Sequence, residues 1–147
     1  MKDTFKVYNN EAFICPVVCK ILGKEEVDIG RLFLLVALFL NDKMLNDKSL
    51  NRFSSLQEYV NSNTRKFVSF SKFYEELLPL ILNALTLLCE SDIIALNGQI
   101  IKLQISDCFA KVDGDRLQRI QSNFDPIWYL ISDLNDSQLY NILSIKL

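Results

Sequence analysis

The chain contains no histidine. That absence removes the most common general base near neutral pH, and neither a Ser-His-Asp nor a Cys-His arrangement can be assembled. Glycine is scarce: Gly23, Gly30, Gly98 and Gly114 form neither GxGxxG nor GxxxxGK[ST], which excludes nucleotide binding by those loops. The cysteines Cys15, Cys19, Cys89 and Cys108 include no CxxC pair, and a zinc site would need all four thiolates to converge. Each is read as a buried, hydrophobe-like side chain; Cys15 and Cys19, four apart, leave a redox pair open. Asp113 with Asp115 and Glu75 with Glu76 lie in polar contexts and read as solvated acids. A metal-dependent hydrolase built on Asp107, Asp113 and Asp115 would lack any second anchoring motif. No catalytic residue, metal ligand or cofactor is therefore expected.

Long apolar runs are also missing. The longest, Leu32 to Leu40, falls far short of the roughly 20 residues a membrane helix needs. The start, with Lys2 followed by Asp3 and then Asn9, Asn10 and Glu11, lacks the order of an export signal. A cytoplasmic protein without membrane contact is the expectation. Nor is there an excess of one charge: the net charge is −2 and the pI about 5.1, giving no general attraction to nucleic acid. What remains is a chain that is 50% hydrophobic and 23% charged, suited to one domain with a large core.

The expected fold is mainly α, with a winged-helix-like domain, one small β-hairpin and additional N- and C-terminal helices. Its parts are N-terminal helices and a loop (10–51), a winged-helix-like core (52–105) and C-terminal helices (113–147). Asn10 caps a first helix to about Leu22, in which Pro16 makes a kink or else begins a shorter helix. Asp28 caps a second helix to Leu40, preferred over a buried strand because no partner strand is apparent. Ser54 or Ser55 opens a short helix, with Glu58 in the position of a capping-box partner to Ser55. Helices over 64–78 and 79–91 follow, and Asn97-Gly98 joins two strands. In DNA-reading winged helices the third helix offers basic and amide side chains to bases and phosphates. Residues 79–91 carry no positive charge, and Asn83, Thr86 and Glu90 form one narrow polar stripe on an apolar cylinder. That helix looks built for burial, so a protein-interaction module is expected before a nucleic-acid reader.

Residues 41–75 hold six basic side chains against four acidic ones, while residues 76–147 hold five against nine. On a helix from about Thr64 to Leu78, Arg65, Ser69, Lys72 and Glu76 share a face opposite Phe67, Phe70, Tyr74 and Leu77. A solvated face is the ordinary reading; Arg65, Lys66 and Lys72 are the candidates for a weak DNA-backbone contact. Further on, Leu117, Ile120, Phe124, Ile127, Ile131 and Leu134 recur at spacings of three and four, like a coiled-coil seam. Pro126, capped by Asp125, is expected to begin a new helix and bend that seam, and Asp136 to cap a last one. The seam either docks on the domain itself or seats a partner helix, with Phe124, Trp128, Tyr129 and Ile131 as the candidate partner-binding residues.

The succession NNEAFICPVVCKIL, LFLLVALFL with a polar loop, SLQEYV, LPLILNALTLL and a hairpin resembles the middle components of bacterial three-component ABC systems, Lamassu-type defence systems among them. Asn10, Ala12, Phe13 and Leu56 contribute to the likeness. The resemblance implies a non-enzymatic adaptor bridging an SMC-like ABC ATPase and an effector such as a nuclease, meeting DNA only weakly or through the complex. The alternative function is a winged-helix DNA-binding transcriptional regulator.

Overall fold

The structure, a computed structural model, describes residues 2–105 and 115–143, with side chains described from Phe13 in the first helix and from Gln118 in the C-terminal segment. In chain order the elements are α1 (Lys2–Lys24), β1 (Val27–Asp28), α2 (Ile29–Phe39), α3 (Asp42–Leu45), a 3-10 turn (Leu50–Arg52), α4 (Leu56–Ser62), α5 (Thr64–Phe67), α6 (Phe70–Glu90), β2 (Ile94–Asn97), β3 (Ile100–Leu103), α7 (Asp115–Ile131) and α8 (Asp136–Ile142). The fold is mainly helical with one small antiparallel sheet.

The sheet has three strands in the order β1-β3-β2, with Val27 opposite Ile101 and Leu96 opposite Ile101 from the other side. The first strand is only two residues long, too short to show alternation, so the hairpin's partner lies just before a helix cap where sequence pattern is silent. Its pairing moves the boundary of the winged-helix-like unit. The order helix, strand, helix, helix, strand, strand is made by α1, β1, α2, α6, β2 and β3, and residues 40–69 are inserted between its second and third helices. The strand that completes the sheet thus comes from residues well before Arg52. The packing agrees: α1, α2 and α6 pack on one another, β3 on α1 and β2 on α6.

The Asp28 carboxylate accepts from the Arg31 amide at 2.9 Å and starts α2 as expected. Leu32 and the run Leu34 to Leu40 are buried, so α2 is apolar all round and occupies the middle of the core. Two proline-based expectations are corrected, at Pro79 and Pro126, while at Pro16 only the alternative of a shorter helix beginning there falls away. Helix α1 already runs at Lys2 and passes through Pro16, α6 continues through Pro79, and α7 continues through Pro126. A proline inside a helix strands the carbonyl four residues earlier. For Pro79 and Pro126 those are Glu75 and Ser122, both exposed, so water can take the bond. The break expected at Leu78 falls instead at Val68-Ser69, between α5 and α6.

Two smaller shifts concern turns. Asn97 pairs with Ile100, so the hairpin loop is Gly98-Gln99, and Gly98 has the positive φ (65°) that the first central residue of a II′ turn requires. Asn135, one residue before Asp136, caps α8 in a full capping box with Gln138. At Ser55 the expected cap forms, but the Glu58 carboxylate returns to Ser54.

Candidate interaction surface

Helix α7 turns its seam inward. Ile120, Phe124, Ile127 and Ile131 are buried, and α7 packs on α2, α3 and the 3-10 turn. Phe124 stacks on Phe39 with centroids 4.6 Å apart and planes 9° apart, and Trp128 stacks on Phe124 at 5.7 Å and 10°. Lys20 and Lys24 lay their ammonium groups over the Phe124 ring at 5.0 and 5.7 Å. Phe124 and Ile131 thus belong to the chain's own core and are withdrawn as partner-binding residues. Trp128 is half-buried on the same stack, and Tyr129 alone of the four is exposed. Leu117 keeps no described side chain, and Cys108, Asp107 and Asp113 lie outside the described residues.

The basic candidates are not one stripe. The break at Val68-Ser69 puts Arg65 on α5 and Lys72 on α6, both exposed. Lys66 is engaged: its Nζ lies 2.6 Å from Asp47 Oδ2 and 5.6 Å from the centre of the Tyr59 ring. Tyr59, fully buried, donates its hydroxyl to the same carboxylate oxygen at 2.8 Å, and Ser49 donates its amide and hydroxyl to Oδ1. This cluster fastens the loop after α3 to α4 and α5.

Burial pushes the Asp47 carboxyl up, but hydrogen bonds from Lys66, Ser49 and Tyr59 outweigh it and hold the group below the usual carboxylate range. Burial and the neighbouring Asp47 push Tyr59 up. A carboxylate depressed on folding adds stability above its ordinary 3.8 and loses it as pH falls towards the folded value. Asp47→Asn should therefore cost about 2 kcal/mol at neutral pH, and the gap to the parent chain should close below pH of about 4. Urea denaturation across that range checks it, and a gap independent of pH would contradict the pairing.

Further exposed apolar side chains lie on α6 and the hairpin, besides Val68 between α5 and α6 and Ile105 after β3. Phe70, Tyr74, Leu77, Ile81, Ala84, Leu85 and Leu88 are buried, so the inner face is spent on the core. The outer face keeps Glu75, Pro79, Asn83, Thr86 and Glu90 exposed, and with them Leu82 and Leu87, which are 50% and 59% exposed. The expectation of a helix built for burial thus holds for one side only. Thr86 donates its hydroxyl to the Leu82 carbonyl at 2.9 Å, so that proton is already used by the helix itself. After α6, Asp92 adopts φ 58°, a left-handed turn that aspartate tolerates, and the chain reverses into β2. Directly paired residues share a sheet face, so Leu96 lies on the face of Ile101 and Val27, the side packed on the helices. It is nevertheless 54% exposed, beyond their cover.

From residue 73 to residue 101 the chain carries Glu75, Glu76, Glu90 and Asp92 and no basic side chain. None of these acids forms an ion pair among the described residues. The exposed leucines escape a pattern reading although a signal existed. At 100° per residue Leu82 lies only about 40° from Thr86, and Leu87 about 40° from Asn83, so both flank the polar stripe.

Among the described residues no three His, Cys, Asp or Glu side chains group as metal ligands, and no helix is long and apolar enough to cross a membrane. No protein-family model, curated protein or solved structure matches the chain.

Proposed function

We propose that the chain is a non-enzymatic adaptor that docks another protein on the outer face of α6 beside the hairpin. The observation that carries this reading is the character of the third helix of a winged-helix-like unit. Where a DNA reader presents basic and amide side chains, α6 presents Leu82 and Leu87 between acids. Such a face repels phosphate and leaves apolar area to be covered by protein. The sequence resemblance supplies the partners: an SMC-like ABC ATPase, with an effector such as a nuclease coupled through the adaptor. DNA contact is confined to Arg65 and Lys72, too few charges for tight binding at physiological salt. A cytoplasmic setting belongs to the same proposal.

The test is co-expression of the full chain with the SMC-like ATPase that this reading expects to be encoded beside its gene. Stable co-purification is expected, and Leu82→Ser with Leu87→Ser should weaken it. Re-exposing two half-buried leucine contacts costs about 1 kcal/mol each, roughly a thirtyfold loss of affinity together. Both side chains are already exposed in the free chain, so its thermal midpoint should hardly move. A complex indifferent to the double substitution would place the docking surface elsewhere.

A further inference from the structure

We infer that the outer face of α6 takes a basic amphipathic helix of its partner, one that lies along the polar stripe and reaches Leu82 and Leu87 on its two sides while lysines or arginines meet the C-terminal end of α6. The inference rests on the docking role proposed above and adds the chemistry of what docks.

Two observations carry it. The first is charge. Glu75, Glu76, Glu90 and Asp92 share one stretch of chain with no basic residue and no ion-pair partner among the described residues, although the whole chain is nearly balanced at 16 basic against 18 acidic side chains. The second is the polarity of the helix. Its aligned peptide dipoles make the C-terminal end of α6 negative, and helices commonly place Lys or Arg there. Helix α6 has no basic residue in its last turn and instead puts Glu90 in it and Asp92 just beyond. Glu90, Asp92 and the end of the helix are therefore three sources of negative potential that no ion pair among the described residues compensates. A cation brought by a partner relieves all three at once.

The shape of the face selects a helix. Rows four residues apart, Glu75-Pro79-Asn83-Leu87 and Leu82-Thr86-Glu90, are ridges between which the side chains of a second helix interdigitate. From Glu75 to Glu90 the face is about 22 Å long, enough for a helix of some four turns.

The experiment uses the full-length chain, isotope-labelled, with a synthetic leucine-lysine amphipathic helix as probe and its leucine-glutamate counterpart as control. The leucine-lysine peptide should shift backbone amides of α6 and the hairpin, and the glutamate peptide should not. The triple variant Glu75→Gln, Glu90→Gln, Asp92→Asn should bind the probe about tenfold more weakly at low salt, with the difference shrinking as salt screens it. Asparagine keeps the left-handed turn at residue 92, and removing Glu90 relieves repulsion at the helix end, so the variant should fold at least as well as the parent. Equal binding of both peptides, an unaltered affinity of the triple variant, or amide shifts in this face caused by duplex DNA would overturn the inference. If the serine variants release the ATPase but the triple variant does not alter probe binding, the docking face stands and the basic-helix inference alone fails. If the serine variants do not release the ATPase, the docking role itself fails.

Discussion

Phe124→Ala is expected to destabilise the chain by about 3–5 kcal/mol, the cost of emptying a buried aromatic site. For a chain of this length that lowers the thermal midpoint by roughly 10 °C or more. The ring is 1% exposed and stacked with Phe39 of α2 and Trp128 of its own helix, beneath the ammonium groups of Lys20 and Lys24 from α1. One side chain thus joins three helices. Trp128→Ala should cost less, about 2 kcal/mol, because the indole is only half-buried and one ring contact is lost. The two losses should fall short of additive by about 1 kcal/mol, since the first substitution already removes the stacking that the second would break. Urea titrations followed by circular dichroism measure all three values. A Phe124→Ala chain as stable as its parent would mean that α7 does not close the core.

How far the sequence reveals these features depends on whether the partners are near or far along the chain. Asp28 before an apolar run, Ser55 three residues before Glu58, and the glycine of the hairpin are local signals, and the structure contains α2, α4 and β2-β3 where those signals put them. The α7 seam is equally legible as a stripe, yet spacing shows which face is apolar and not what covers it. Its cover, Phe39, is 85 residues earlier, from 124 − 39. The same limit hides β1, whose two residues acquire meaning only when Val27 meets Ile101. For the candidate surface, the absence of positive charge on residues 79–91 was plain, but that Leu82 and Leu87 stay uncovered depends on where α1 and α2 pack against α6.

Arg31→Met should cost about 3 kcal/mol, because it removes one member of a buried charged cluster that also finishes a helix. Arg31 is 9% exposed and flanks the apolar run of α2, where a sequence reading sees only a terminating charge. Its Nη1 donates to the Leu134 carbonyl at 2.6 Å and to Asp136 Oδ1 at 3.3 Å, and Nη2 donates to the Ile131 carbonyl at 3.3 Å. The end of α7 and the turn into α8 are thereby held on α2 through their carbonyls, of which that of Ile131 also accepts the Leu134 amide at 3.1 Å. Asp28, which caps α2, and Tyr140 adjoin the same spot, and Tyr140 hydrogen-bonds Tyr74 of α6, whose hydroxyl is pushed up by burial and by that contact. Burial and the hydrogen-bonded Asp28 carboxyl raise Asp136 above its ordinary 3.8, and the Arg31 guanidinium pulls against them. A carboxyl raised on folding favours the folded state most at pH below its unfolded value and loses that contribution as pH climbs through the folded one. Without Arg31 the opposing cation is gone and Asp136 rises further, so the penalty of Arg31→Met should be largest at neutral pH and shrink as pH falls towards 4. This sign resembles that of Asp47→Asn, but the cause differs: there a favourable carboxylate is lost, here an unfavourable one is relieved. The two separate when Asp136→Asn is added, which should flatten the pH dependence of the Arg31→Met chain and restore part of its stability while leaving that of Asp47→Asn untouched. Equal denaturation midpoints for Arg31→Met and the parent at every pH would show that α7 and α8 are held to α2 by packing alone.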